Sequence, residues 1–304
     1  MKYAILYKKL IPVLACIGIA TAANSQLTNF GGGYYQNRYL FNPAMSGLQQ
    51  QLVVNAAYKK EQLSFAESPT NQYLTADYGI SDKAGVGVAI IANQAGPLRQ
   101  LNALGTYSYH LVFSEKNKLH MGISMGVNNN HLDISKTNGE VDDPALLTYN
   151  NKGTQFEAGF GAAYAYGNLL VQAVLPQLAS QFKKEENNRA NRPLAFAAVS
   201  YKLKLSDEAE GIYMEPMVCF RAVKNADNII DAGSSFSFLD NKFNVMAMYH
   251  TNKSITAGVG LEIIDQIMTL NALYHSTTGG LKTFSDGGLE VGLRFNISGI
   301  IKKQ

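Results

Sequence analysis

Apolar and polar residues change places at every step along several stretches of this chain. Leu289, Val291, Leu293, Phe295 and Ile297 alternate with Glu290, Gly292, Arg294 and Asn296. Leu119, Met121, Ile123, Met125 and Val127 alternate with His120, Gly122, Ser124, Gly126 and Asn128, and Ile255 to Ile263 repeats the pattern against Thr256, Gly258, Gly260 and Glu262. A period of two places each set on one face of a strand. A soluble sandwich shares that period, but here the second face is Gly, Ser, Thr, Asn, Glu and Arg, which suits a polar lumen and not a dry core. The pattern predicts an all-β chain, a transmembrane antiparallel β-barrel of about fourteen strands.

The predicted strands lie near 51–60, 70–80, 83–93, 100–113, 117–130, 154–166, 168–175, 192–204, 210–224, 227–238, 241–251, 254–264, 267–275 and 285–297. Their connections sort by parity. Even-numbered ones are tight, such as Ser81-Asp82, Tyr166-Gly167-Asn168 and Asp265-Gln266, while odd-numbered ones include the long stretches 61–69, 94–99, 131–153, 176–191 and 276–284. Outer-membrane barrels put short turns on the periplasmic rim and long loops outside, whereas a sandwich has no reason to sort its loops this way. Phe160 to Leu175 is nearly all apolar, yet Gly167-Asn168 at its centre and its length favour a hairpin over a spanning helix. Pro216 removes a ladder donor from its strand and predicts a bulge or interruption there. With no Trp in the chain, the interface girdles fall to Tyr107, Tyr109, Phe113, Tyr164, Tyr166, Phe236, Phe238, Phe243, Tyr249 and Tyr274.

Residues 1–25 read as a signal peptide: Lys2, Lys8 and Lys9, an apolar run from Leu10 to Ala20, then Ala22-Ala23-Asn24-Ser25. A lipoprotein signal at Val13-Leu14-Ala15-Cys16, leaving Cys16 lipidated, is the alternative. Cleavage changes the charge argument. Removing those three lysines from 26 basic residues leaves 23 against 23 acidic ones, so the mature chain is formally neutral. Nucleic acid, which needs a clustered basic surface, is not an expected partner. Cys219 would be the one remaining cysteine, which excludes an intrachain disulfide. Residues 26–50 form a lead-in, and 51–304 the barrel, as one domain without a linker.

Little in the chain offers chemistry. Gly122-Ile123-Ser124-Met125-Gly126 matches the hydrolase G-x-S-x-G pattern, but that motif needs a strand-to-helix turn and these residues fall mid-strand. Asp133, Ser135, Thr137, Asn138, Glu140, Asp142 and Asp143 make an oxygen-rich loop whose spacing fits no EF-hand, so it reads as solvated surface. Glu157, Glu215, Arg221, Glu262, Glu290 and Arg294 are expected in the lumen, since a charge facing lipid costs about 2–4 kcal/mol; there they pair with one another or, as the alternative, line a channel or contact a plug. The five histidines are dispersed without ligand spacing. No enzyme activity, metal or cofactor is expected.

The stretch from Phe30 to Gly47 is aromatic-rich and non-periodic, and parity puts it in the periplasm or lumen. It reads either as a cap sealing the barrel mouth or as a plug or docking peptide. Tyr39-Leu40-Phe41-Asn42-Pro43-Ala44-Met45-Ser46-Gly47 resembles the Tyr-x-Phe-Asn-Pro-Ala-x-x-Gly stretch of the PorP/SprF family of Bacteroidota outer-membrane proteins. Ser68-Pro69-Thr70 with Leu74-Thr75-Ala76-Asp77, Gly85-Val86-Gly87-Val88 with Asn93 to Gly96-Pro97, Leu119 to Asn129, and Leu289 to Ile297 resemble further family stretches. One departure is Gln62-Leu63, where the family usually has Gln-Trp, and it implies altered docking if that Trp contacts a partner.

The resemblance implies an outer-membrane component of type IX secretion, acting with the secretion machinery. It also implies support for export and surface attachment of cargo with a C-terminal sorting domain, of the adhesin or gliding type. Tyr39, Phe41, Asn42, Pro43, Ala44 and Gly47 are the candidate partner-binding residues. The alternative function is a transport barrel for a hydrophobic or small solute, with the lead-in as its hatch.

Overall fold

The computed structural model describes residues 33–64, 67–133, 150, 153–182, 192–206, 211–224, 226–277 and 286–297. Among them, fourteen antiparallel strands close into a ring. They are β1 Leu52–Lys60, β2 Thr70–Ser81, β3 Ala84–Ala95, β4 Leu98–Val112, β5 Asn117–Leu132, β6 Thr154–Tyr166 and β7 Leu169–Leu175. Then follow β8 Arg192–Tyr201, resumed at Leu203–Lys204, β9 Tyr213–Lys224, β10 Ile229–Phe238, β11 Phe243–His250, β12 Ser254–Ile264, β13 Met268–Thr277 and β14 Gly288–Ile297. Each pairs with its neighbours in sequence, and β1 meets β14 through pairs such as Ala56 with Leu293. Closure leaves no exposed sheet edge, which is what lets strands sit in lipid with their backbone groups satisfied.

The barrel is inside-out relative to a soluble protein. Val88, Met125, Val218, Val291 and Leu293 face outward and are exposed, while Thr75, Ser108, Asp231 and Thr256 on the inner face are each 0% exposed. Tyr107, Tyr109, Phe113, Tyr164, Tyr166, Tyr249 and Tyr274 are exposed outward as girdle residues. Phe236, Phe238 and Phe243 are half-buried, the last two stacked across a turn with centroids 5.9 Å apart.

Two local expectations are corrected. Residues 94–99 are not a long loop. β3 and β4 run on to Ala95 and Leu98 and are joined by Gly96-Pro97, with Gly96 at φ +56 as the tight connection requires. Pro216 does not bulge its own strand, which stays paired with β10 through Pro216 and Ser234. The missing N–H shows on the other side: β8 breaks at Lys202, between the pairs Met217 with Ser200 and Met214 with Leu203. The bulge in β9 lies at Ala222/Val223 instead. Residues 1–25, expected to be a signal peptide, and most of the acidic loop, from Ser135 to Asp143, lie outside the described residues.

A charge on the outer face should be far more damaging than a small addition on the inner one. Leu293→Arg is expected to cost about 2–4 kcal/mol. Gly292→Ala should be nearly neutral, because its new Cβ would stand 3.5 Å from the Ala57 Cβ, an ordinary contact. The urea midpoint of heat-shifted gel mobility measures both, and equal losses would contradict an outward lipid face.

Candidate functional site

The lead-in does not hang below the barrel. Residues 33–47 fold inside it, as two single-turn helices, Gly33–Gln36 and Arg38–Phe41, and a 3-10 turn, Pro43–Met45. Asn37 caps the second turn by accepting from the Leu40 N–H at 3.2 Å. Asn42 and Pro43 then act together. Proline cannot continue a helix and pushes Asn42 into extended backbone, at φ -140 and ψ 112, while the Asn42 Oδ1 accepts from the Ala44 N–H at 2.9 Å.

The chain is sunk so far into the wall that glycines must face it. A side chain at Gly122 on β5 would collide with the Pro43 carbonyl, and one at Gly161 on β6 with the Asn42 amide. A Cβ at Gly87 on β3 would stand 2.6 Å from the Tyr39 ring. Gly47, at φ +64, has the Gly85 Cα 2.5 Å from where a Cβ would project. Neither its conformation nor that space admits another residue.

Polar contacts then fix the lead-in to strand after strand. Asn42 donates to Gln172 Oε1 at 3.1 Å, and the Gln172 amide in turn meets the Tyr34 hydroxyl. Tyr39 donates to Thr106 Oγ1 at 2.9 Å, Asn37 to Thr75 Oγ1 at 2.9 Å, and the Gly47 N–H to Asp77 Oδ2 at 2.8 Å. Arg38 reaches both carboxylate oxygens of Glu215, at 2.7 and 2.5 Å, and Arg294 donates to the Gln36 carbonyl at 3.1 Å. The Ser46 carbonyl accepts from Ser108 Oγ at 2.8 Å and from His110 Nε2 at 3.2 Å. With that proton on Nε2, His110 Nδ1 is free to accept from His120 Nδ1 at 3.0 Å.

Tyr34 is the apolar anchor. It is 0% exposed and buried in a cluster with Phe196, Met217, Cys219, Met246, Met248 and Leu273. Burying such a ring contributes roughly 1.5–3 kcal/mol, and its hydroxyl is not stranded because Gln172 meets it. The lumen is therefore not uniformly polar as expected: on this side it holds a dry core, and Cys219 is a packing residue within it.

Lumenal charges find partners, and two of the expected six, Glu215 and Arg294, find them on the lead-in. Arg221 makes a two-point contact with Asp231, at 2.7 and 2.8 Å, and Asp231 also meets His250 Nδ1 at 2.5 Å. His250 Nε2 and His275 Nδ1 both lie 2.9 Å from Thr256 Oγ1, and His275 Nε2 lies 3.4 Å from Glu290. This belt crosses β9 to β14 towards their long-loop ends, and the lead-in reaches it at Gly33, where an added Cβ would stand 3.2 Å from Glu290 Oε1. Glu262 instead takes the Gln266 N–H in a turn at the rim. Between lead-in and wall, near Gln36, Tyr73 and Asn271, a void of about 30 Å³ remains, room for about one water.

Of the six candidate residues, Asn42 and Ala44 are 0% exposed, Tyr39 is 6% exposed, Pro43 and Gly47 are buried, and Phe41 is half-buried against Tyr34. All six face the barrel interior, so a partner would reach them only if the segment withdrew. Leu63, at the position of the departure from the family pattern, sits in the first outer loop, its N–H bonded to the Gly287 carbonyl at 3.1 Å. The sequence reading missed Tyr34, Arg38, Thr75, Asp77, Thr106 and Gln172. Period-two parity places the four strand residues inward, but it does not say what they touch.

Replacing Asn42 tests the seal. Asn42→Ala strands the Ala44 N–H and the Gln172 Oε1 in a buried site, at a cost of about 1–3 kcal/mol. Leu48→Ala, one residue past Gly47 and 44% exposed, should stay within about 0.5 kcal/mol. Urea midpoints of the folded barrel compare the two, and an indifferent Asn42→Ala would mean that the segment is not held.

No curated protein matches this chain in sequence. Among solved structures it is similar to outer membrane protein Omp33 of Acinetobacter baumannii, at 12% identity over 83% of this chain and 100% of that one, with a TM-score of 0.47. It is similar to a deltaS2 mutant of the TodX monoaromatic hydrocarbon channel, at 10% identity over 86% and 94%, with a TM-score of 0.49. The KdgM porin in complex with disordered oligogalacturonate is a third, at 7% identity over 80% and 98%, with a TM-score of 0.38. The family of type IX secretion system membrane proteins PorP/SprF matches residues 23–295. With nearly its whole length inside that match and its strands closed into a lipid-facing barrel, the chain belongs to the PorP/SprF family of outer-membrane proteins of type IX secretion.

Proposed function

We propose that this barrel serves type IX secretion as a closed, non-enzymatic scaffold, supporting export and surface attachment of cargo that carries a C-terminal sorting domain. The observation that carries the reading is the filled lumen: Asn42, Pro43 and Ala44 lie fully inside, sealed against β5 and β6. A barrel closed in this way offers partners its rims, loops and outer wall, and it does not offer a path through. Tyr39, Phe41, Asn42, Pro43, Ala44 and Gly47 then act in partner binding indirectly, by holding the short-turn rim in one shape. Against catalysis stands Ser124, which lies mid-strand on β5, buried and away from any strand-to-helix turn. Against solute transport stands the number of contacts a departing lead-in would break, including the buried Tyr34 ring and the Arg38–Glu215 pair.

Two measurements together test the proposal. The purified protein in planar bilayers should pass no steady ion current. Cells lacking it should show a sharp fall in surface labelling of sorting-domain cargo, restored by the unaltered gene. A conducting barrel whose loss leaves cargo display intact would instead make it a solute channel.

A further inference from the structure

The outer face of β2 to β5 changes chemistry towards its long-loop end. On β5 the outward series Leu119, Met121, Ile123, Met125, Val127 ends in Asn129 and His131. On β4, Tyr109, Tyr107 and Leu101 give way to Arg99; on β3, Val88 and Ile90 give way to Gln94; on β2, Ile80 and Leu74 give way to Gln72 and Thr70. The register lines these up in two adjacent rows, Gln72, Ala92, Leu101 and Asn129 in one, Thr70, Gln94, Arg99 and His131 in the other. Polar outward side chains continue on the flanking strands, with Lys60 beside Thr70 and Thr154 beside Asn129, whereas Phe156, Ile230, Tyr249 and Tyr274 keep other outward positions near that rim apolar or aromatic. In this sector amides, a guanidinium and an imidazole line a cleft of about 290 Å³ together with Ala92 and Leu101.

Position identifies what meets the cleft. It points sideways from the barrel, and its Leu101, 48% exposed, continues the lipid-facing surface below. The layer lying there, just past the hydrocarbon, is the headgroup layer of the outer leaflet. Side-chain amides offer paired donors and acceptors that suit neighbouring hydroxyls, and a guanidinium fork suits phosphate. Among the described residues Arg99 pairs with Asp133, at 3.5 Å and with the Arg99 side chain 54% exposed, a weak pair that an anion can displace. Asn129 donates to Thr154 at 3.0 Å and keeps its carbonyl free to accept. We propose that this cleft binds the phosphorylated sugar headgroup of an outer-leaflet glycolipid, lipopolysaccharide, whose acyl chains lie along the apolar face of β3 to β5.

His131 provides a readout in the unaltered, detergent-purified protein, because it stands exposed at the cleft. Rough lipopolysaccharide should slow its modification by diethyl pyrocarbonate about tenfold, read by peptide mass. Phosphatidylglycerol and inorganic phosphate at matched phosphate concentration should not. The triple variant Gln72→Ala, Gln94→Ala, Arg99→Ala, if it retains its heat-shifted mobility, should lose the protection. Absence of protection in the unaltered protein overturns the proposal. So does equal protection by phosphatidylglycerol, which would reduce the cleft to a general lipid contact, or by phosphate alone, which would reduce it to an anion site at Arg99. The unaltered protein decides the matter even where the triple variant does not fold.

Discussion

A ring of fourteen strands is too wide for its own side chains to fill. Eight strands leave an interior that side chains just occupy, and the diameter grows with each strand added. The extra space must hold water, as in a channel, or more protein. Here it holds the chain's own residues 33–47 together with an Arg221–Asp231–His250 belt and its neighbours. The lumen residues then follow from what they must meet. Glycine stands where backbone meets backbone, at Gly85 and Gly122, and where the Asn42 and Pro43 side chains press on the wall, at Gly161; a hydroxyl, amide or carboxylate stands where a polar group of the lead-in needs a partner.

The same demand explains why separated stretches of sequence converge. Leu74 to Asp77, Gly85 to Val88 and Leu119 to Asn129 each resemble a family stretch, and each sends residues to the Asn-Pro-Ala turn or its flanks. Thr75 holds Asn37, Asp77 holds Gly47, Gly87 admits the Tyr39 ring and Gly122 admits Pro43. Burial raises the stakes at each contact. Asp231 is 0% exposed and is stable as an ion only because Arg221 and His250 both reach it; removing one partner would leave an uncompensated buried charge.

The barrel itself was legible because lipid and lumen impose opposite demands on alternate residues, and period two records them. Strand number and most strand ends follow from that record and from the parity of the connections. Three things left no such record. Residues 94–99 look like a loop because Asn93, Gln94, Arg99 and Gln100 are polar, yet they continue a hairpin that outruns the apolar band. Met246 and Met248 face inward between Asn244 and His250, an apolar middle on an otherwise polar face, and nothing in period two says that the Tyr34 ring packs there. The lead-in has no period, and its partners lie far along the chain: Asn42 meets Gln172 and Arg38 meets Glu215. Such pairings depend on closure of the ring, which no local pattern encodes.

Everything beyond the barrel rests on the lead-in being a fixed part of the lumen. Amide hydrogen exchange of the folded, detergent-purified protein, read over a peptide spanning residues 38–47, tests this directly. The N–H groups of Leu40, Ala44 and Gly47 are bonded to Asn37, Asn42 and Asp77, so they should exchange as slowly as the strand amides of β5. Exchange at the rate of an unstructured peptide, in a barrel whose strands remain protected, would contradict the account.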